Sequence, residues 1–429
     1  MSGKKAALNE LLKLVQEETH KCIRCGECRT VCPVFREEPA ERYTARGKIA
    51  IAEELAKGNI ELTPHVREAF DNCLLCTGCA SQCSSGARAD KVIMAVRRAF
   101  RDELGLPPVK KLLGLALTRS GKTLDMGARI GAALQPLLFK GVPEDSGLLP
   151  RFALPLVDGS QYVPKVAEKS FRSRVKRAGK DGLPRVTFFT GCMANYAMTE
   201  IADSVVKVLT AVDVTVTVPE KQGCCGMPML ASGDADSVRT LAERNIEALS
   251  ATHGPIVVAC ASCGHMLQHG YREILGEESP LCGKADDIAA RTVDITRYLV
   301  QEVGVERLGK LLHRRAPETV TYHDPCHLRK AQGITEEPRT LLELIPHATF
   351  REMPHPEACC GLGGTYCISF MERSKSIQTK KIDDARTTGA DCIATACPGC
   401  IMQLRDGIRR SPDKQMRAKH VIELLADAL

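Results

Sequence analysis

The sequence predicts an α+β multidomain protein, with a helical, cysteine-rich N-terminal domain followed by a tandem repeat of two α/β lobes, each built on a parallel sheet. Three observations carry that expectation. Residues 1–104 hold eight closely spaced cysteines among helix-period stretches such as KIAIAEELAKG and KVIMAVRRAFRDEL. From Arg185 onward, short β-branched runs alternate with longer helical ones, the order of βαβ units. Five cysteines of the first part of that region then recur in the second at nearly constant offset.

Composition narrows the function classes. The 429 residues suffice for two or three domains, and 44% hydrophobic with 26% charged residues is ordinary globular usage, which excludes a disordered or coiled-coil chain. A net charge of +7, 4% aromatics and no Trp leave nothing for nucleic acid. The outlier is cysteine, 21 in all, an odd number that cannot pair fully within one chain and argues against a secreted disulfide scaffold. Glu10, Glu17 and Glu18 interrupt the N-terminal stretch, which reads as an amphipathic helix rather than a signal peptide. No run reaches 18 uninterrupted apolar residues. The expected location is therefore cytoplasmic, with peripheral contact at the inner face of the cytoplasmic membrane only through a partner.

The domain order expected is 1–104, a linker at 105–184, a first lobe at 185–315 and a second at 316–429. The linker is rich in Pro (Pro107, Pro108, Pro143, Pro150, Pro155, Pro164, Pro184) and ends in Lys169, Arg172, Arg174, Lys176 and Arg177, read as a solvated basic face. First-lobe strands are expected at Val186–Thr190, Val214–Val218 and Ile256–Ala259, with helices at Ile201–Leu209 and Asp236–Leu249. Second-lobe strands fall at Val320–Tyr322, Ala348–Arg351 and Cys392–Ala396, with helices at Arg339–Ile345 and Ser374–Arg386.

Cys22, Cys25, Cys28 and Cys32-Pro33 form C-x2-C-x2-C-x3-C-P, and Cys73, Cys76, Cys79 and Cys83 repeat it with Ser84 in place of Pro. Three thiolates from one tight loop hold three corners of a [4Fe-4S] cube, and the fourth cysteine of each run ligates the other cube. The assignment is one cubane on Cys22, Cys25, Cys28 and Cys83, and another on Cys73, Cys76, Cys79 and Cys32. The helical stretch from Thr44 to Phe70 must return the chain so that the loops face each other. Structural zinc favours two C-x2-C pairs per tetrahedral site and has no use for the third cysteine of each run.

In the lobes, Cys192, Cys224, Cys225, Cys260 and Cys263 are matched 134–137 residues later by Cys326, Cys359, Cys360, Cys397 and Cys400. Cys192, Cys260, Cys326 and Cys397 fall just past predicted strands, where open α/β sheets place ligands, so the thiols of each lobe are expected on one rim of its sheet. Five soft ligands there point to iron-sulfur, one or two further clusters in all; a redox disulfide or buried apolar cysteines are the alternatives for the adjacent pairs.

The order of two ferredoxin-type runs, a linker, and two lobes of Cys, Cys-Cys-Gly and Cys-x-x-Cys resembles the iron-sulfur subunit of glycolate oxidase and related lactate and glycerol-3-phosphate dehydrogenase complexes. TARGKIA (Thr44 to Ala50), GCCG (Gly223 to Gly226), HDPCHL (His323 to Leu328) and ACCGLGGTY (Ala358 to Tyr366) carry the likeness, which spans nearly the whole chain. The lobe pair also resembles the catalytic part of heterodisulfide reductases, where each set of five cysteines binds a non-cubane [4Fe-4S] cluster. Both lobes here keep all five positions, whereas glycolate-oxidase-type relatives can lack one.

The resemblance implies an electron-transfer subunit of a flavin-dependent 2-hydroxy-acid dehydrogenase, serving a partner flavoprotein and a quinone or other carrier, with no catalytic residue of its own. The alternative it implies is a heterodisulfide-reductase-like enzyme cleaving a disulfide at a non-cubane cluster. Residue patterns agree with an accessory role, since Gly361, Gly363 and Gly364 lack dinucleotide-binding spacing and Ser120-Gly121-Lys122-Thr123 is half a P-loop, with Ala116 where a Gly is needed. His323 and His327 flank Cys326 and read as structural histidines or as hydrogen-bond donors to cluster sulfur. His265 and His269 read as a packed pair, and Cys282, Cys367 and Cys392 as structural.

Overall fold

A computed structural model describes residues 13–119, 121–141, 147–151, 161–313, 318–411 and 415–429. Glu10, Ser120, Pro143 and Pro155 lie outside the described residues. The chain divides into two compact units, one of residues 1–115 with 227–238 and 361–377, the other of 116–226, 239–360 and 378–429. The two segments that follow the Cys-Cys-Gly pairs therefore belong to the N-terminal unit, a membership that local sequence patterns do not show.

The first unit is helical. Thr44 caps Ala45–Ala56 by accepting from Gly47 N, Thr63 caps Pro64–Asp71, and Ala89–Leu104 carries the long amphipathic face. Ile49, Phe70, Val92, Ile93, Val96 and Phe100 form its buried core, and Cys22, Cys28, Cys73, Cys79 and Cys83 pack against that core. The cysteine loops thus rest on a rigid helical floor.

The second unit carries both lobes. Residues 105–184 hold more order than a linker requires: helices Pro108–Thr118 and Gly121–Leu138, then an antiparallel sheet of β1 (Phe139–Gly141), β2 (Gly147–Pro150) and β3 (Val163–Pro164). One member of the basic run departs from a solvated face. Arg172 is buried, whereas Arg174 is exposed and pairs with Asp203 on the surface.

The first-lobe sheet has the order β4-β6-β5-β7-β8, from β4 (Arg177–Ala178), β5 (Arg185–Phe189), β6 (Thr215–Thr217), β7 (Ile256–Val258) and β8 (Thr292–Asp294). All neighbours are parallel except β4 with β6. The second-lobe sheet, wholly parallel, runs β10-β9-β11-β12, from β9 (Thr319–Tyr322), β10 (Thr349–Phe350), β11 (Cys392–Thr395) and β12 (Arg417–His420). Every strand and helix expected in the two lobes is present within a few residues of its expected bounds. One apolar core runs through both sheets, from Val186, Phe188 and Val216 to Val320, Cys392 and Leu425, so the repeat is a single folded body rather than two independent ones.

Candidate iron-sulfur sites

Two cavities in the N-terminal unit collect the ferredoxin-type cysteines. One is lined by Cys22, Cys25, Cys28, Cys79 and Cys83; the other by Cys32, Cys73, Cys76 and Cys79. The fourth cysteine of each run thus stands in the cavity of the other run. Ala45 and Cys79 line both cavities, which therefore share a wall.

The loops are wound alike. Arg24 and Gly26 in the first, Leu75 and Thr77 in the second, have φ of 58°, 91°, 49° and 56°. Left-handed residues alternating with right-handed ones turn successive N–H groups into a concavity that suits an anion, and non-glycine residues hold such angles only under local strain. Leu75 N donates to Cys73 Sγ at 3.4 Å, Phe35 N to Cys32 Sγ at 3.5 Å and Ala87 N to Cys83 Sγ at 3.3 Å. The turn through Ser85 and Gly86 wraps Cys83. Burial would raise that thiol, but the Ser85 hydroxyl and the amides of Ala87, Ser85 and Gly86 outweigh it and hold it below its ordinary pKa.

TARGK acquires a physical meaning. Arg46 Nη1 donates to Arg24 O at 2.9 Å, fixing the left-handed residue of the first loop. Gly47 is required because a Cβ would stand 2.0 Å from Glu41 O. Lys48, 1% exposed, donates to Tyr43 O and lines the second cavity. Burial lowers its pKa, and Cys73, Cys32 and Cys79 oppose that shift. A buried ammonium needs an anion beside it, and the sulfur-lined cavity is where one belongs.

In the second unit cysteines of both lobes join in one array. Cys192 touches Cys224, Cys224 touches Cys225, Cys225 touches Cys263, and Cys263 touches Cys260. Cys397 touches Cys400, Cys400 touches Cys360, and Cys360 touches Cys359. The two rows meet where Cys260 contacts Cys397. Cys326 opens helix Cys326–Gln332 directly after β9. Helix Ala261–His265 packs on that helix so closely that a Cβ on Gly264 would lie 2.5 Å from Gln332 Oε1, and Ala261 N donates to Ala396 O at 3.3 Å. Lobe-by-lobe reading of the sequence places five thiols on each sheet rim; the structure joins the rims.

The donor set fits iron-sulfur. Contact with neighbouring thiols, then burial, pushes Cys192, Cys263 and Cys400 well above the usual thiol range, while hydrogen bonds from neighbours drop Cys360 and Cys397 well below it. Sulfurs in such a row share protons because they cannot all ionise together without a cation among them. Iron with sulfide supplies that positive charge, and soft thiolates select it over hard cations.

Matches to known proteins cover the regions that hold these cysteines. Residues 18–87 match a 4Fe-4S dicluster domain, and residues 186–268 and 320–405 each match a cysteine-rich domain. A "Lactate utilization protein A 2" of Bacillus cereus (strain Q1) is 31% identical over 245 residues, covering 57% of this chain and 99% of that protein. The chain belongs to this family of oxidoreductase iron-sulfur subunits. A "Probable glycolate oxidase iron-sulfur subunit" of Bacillus subtilis (strain 168) is 29% identical over 436 residues, 98% of this chain and 96% of its own. One subunit of a dihydromethanophenazine:CoB--CoM heterodisulfide reductase of Methanosarcina acetivorans is 27% identical over 441 residues, 96% and 94% of the two chains. A solved hypothetical protein of Helicobacter pylori shares the fold at a TM-score of 0.51 and 10% identity, over 99% of this chain and 76% of that one.

Several residues that shape this iron-sulfur subunit carry no motif. Arg97, 4% exposed, donates to Phe70 O, Asp71 O and Cys73 O from one edge and to Ala231 O from another, clamping the entry to the second loop. Asn72 Oδ1 accepts from Tyr366 OH at 2.9 Å beside the same loop. Buried Asn245 accepts from Gly223 N and donates to Cys224 O, and Gln222 links Thr190 N to Phe188 O. A buried Arg or Asn far along the chain gives no local sign of what it will touch. Of the other cysteines, Cys392 lies in β11 within the apolar core, where burial pushes it up to about 12. Cys282 binds Gly276 O and Arg272, and Cys367 contacts Gly364 O. His265 stacks on His327 at 4.9 Å, and His269 lies 5.5 Å from His265.

Proposed function

We propose that this chain is the electron-transfer subunit of a flavin-dependent 2-hydroxy-acid dehydrogenase complex, of glycolate or lactate type. The observation that carries the reading is the pair of cysteine-lined cavities sharing a wall at Ala45, each holding the fourth cysteine of the other run. Cys22, Cys25, Cys28 and Cys83 would hold one cubane [4Fe-4S] cluster and Cys73, Cys76, Cys79 and Cys32 the other. Cys192, Cys224, Cys225, Cys260 and Cys263 would hold a further cluster, and Cys326, Cys359, Cys360, Cys397 and Cys400 a fourth, both candidates for the non-cubane type. Bound there, each cluster supplies one-electron redox chemistry.

Oxidation of the hydroxy acid to the oxo acid releases two electrons and two protons on the partner flavoprotein. This chain accepts the electrons singly and delivers them to a quinone or another carrier. Its loops fix the thiolates, Lys48 balances their charge, and the helical floor keeps water from one side of each cavity. Met126, Ile130 and Leu137 on helix Gly121–Leu138 are 60%, 55% and 70% exposed, an apolar stripe of the kind that subunit association buries. Among the described residues no helix is long and apolar enough to cross a membrane.

The test is anaerobic co-purification followed by addition of glycolate or lactate. Bleaching of the broad visible absorption, with a flavoprotein present, supports the proposal; a colourless protein loaded with zinc refutes it. One observation favours a second reading, disulfide cleavage of the heterodisulfide-reductase kind: Cys260 and Cys397 bring both lobe arrays together. A solitary chain that reduces disulfides from a reduced dye would establish that alternative.

A further inference from the structure

His323 stands among the second-lobe sulfurs. One of its ring nitrogens lies in a group with Cys360 and Cys400 in which all the ligand atoms are within 4.8 Å of one another. The residue is 1% exposed, its ring makes no hydrogen bond to an oxygen or nitrogen, and the neighbour it meets is the Cys360 thiol. A buried imidazole turned toward thiols rather than toward backbone or water is placed to meet whatever those thiols hold.

The backbone holds the ring there by design. His323 N donates to Ala394 O at 2.9 Å, and its carbonyl accepts from Thr395 Oγ1 at 3.0 Å. The next residue, buried Asp324, is gripped by Arg329 at 2.6 Å and Arg339 at 3.0 Å. His327, by contrast, is engaged with Ser262 at 3.0 Å. Of the two histidines flanking Cys326, the structure thus puts the first into the thiol array and occupies the second elsewhere.

The repeat sharpens the point. His323 lies three residues before Cys326, and the residue three before Cys192 is Phe189. Phe189 is also buried, and its ring edge lies near Gly191 on the side where Cys263 approaches, Cys263 being the counterpart of Cys400. The first lobe therefore presents a hydrocarbon where the second presents nitrogen.

We infer that His323 contributes an imidazole nitrogen to the second-lobe iron-sulfur site, which makes the two lobe sites inequivalent. This rests on the reading of Cys326, Cys359, Cys360, Cys397 and Cys400 as iron ligands. A nitrogen on iron, or an N–H donated to cluster sulfur, raises the reduction potential relative to an all-thiolate, hydrocarbon-walled site. His323 is thus a device that makes the second-lobe site the easier of the two to reduce.

The experiment is pulsed EPR on the reduced full-length protein with 15N-histidine, beside a redox titration, for wild type, His323→Phe and His323→Gln. The expected result is a histidine-nitrogen coupling on one lobe signal, lost in both variants. At fixed potential the reduced-to-oxidised ratio of that cluster falls about tenfold in His323→Phe, equivalent to about 59 mV for one electron, and by less in His323→Gln, which keeps a donor. A large coupling signifies an Fe–N bond and a small one an N–H···S contact; either supports the inference. No coupling in wild type, a coupling that survives in His323→Phe, or an unchanged ratio in an iron-replete His323→Phe overturns it. Failure of the underlying reading looks different: Cys360→Ser with Cys400→Ser would then leave the wild-type iron content unchanged.

Discussion

Asn245 offers the strongest test of how the first-lobe array is held. It is 0% exposed and far in sequence from the cysteines it serves, accepting from Gly223 N at 2.7 Å and donating to Cys224 O at 2.8 Å and to Tyr271 OH at 2.7 Å. Asn245→Ala removes three buried hydrogen bonds, each with a net value of about 1 kcal/mol, and strands the Gly223 amide and the Cys224 carbonyl at up to about 1–3 kcal/mol each. A loss of about 3–5 kcal/mol follows, concentrated in the Gly223–Gly226 loop. Asn245→Asp keeps the acceptor for Gly223 N but loses the donor to Cys224 O, so an intermediate effect is expected. Anaerobic iron counting and urea unfolding read both consequences: Asn245→Ala should lose about four iron atoms per chain while the ferredoxin-type EPR signals persist. An Asn245→Ala protein with wild-type iron and an unfolding midpoint within error of wild type would refute the reasoning.

Other perturbations separate the remaining contributions. Lys48→Met removes the cation beside Cys73, Cys32 and Cys79 and should lower the potential of that cubane by about 59 mV or more, a tenfold change in ratio, whereas Lys48→Arg should largely preserve it; spectroelectrochemical titration decides. Gly47→Ala drives a methyl into Glu41 O and should destabilise the first unit by about 1–3 kcal/mol or more, read as thermal loss of the cubane absorption. Cys83→Ser should disturb the cluster held by Cys22, Cys25 and Cys28, and Cys32→Ser the one held by Cys73, Cys76 and Cys79; EPR showing each variant altering its own run instead would refute the crossed arrangement.

Burial pushes buried Asp294 up to about 7, so between its unfolded value near 4 and pH 7 the folded chain binds the extra proton. Its contribution is therefore largest at the acid end of that window and is lost as pH rises through 7. Asp294→Asn should flatten this part of the dependence in urea unfolding at pH 5 against pH 7.5.

The sequence by itself determined the fold class, the strand and helix order of both lobes, and which cysteines belong together within each run and each repeat. Those facts are local: periodicity fixes which face of an element is buried, and C-x2-C spacing fixes which thiols one loop can present. What only the tertiary structure decided are the relations between distant segments. Cys260 and Cys397 meet where Ala261 N donates to Ala396 O, and no spacing encodes a contact between segments more than a hundred residues apart. The structure likewise assigns residues 227–238 and 361–377 to the N-terminal unit, and it shows Lys48, Arg97 and Asn245 as buried supports. A charged or amide side chain looks like any surface residue in a sequence; the surrounding walls, contributed by segments tens to hundreds of residues away, make it part of a site.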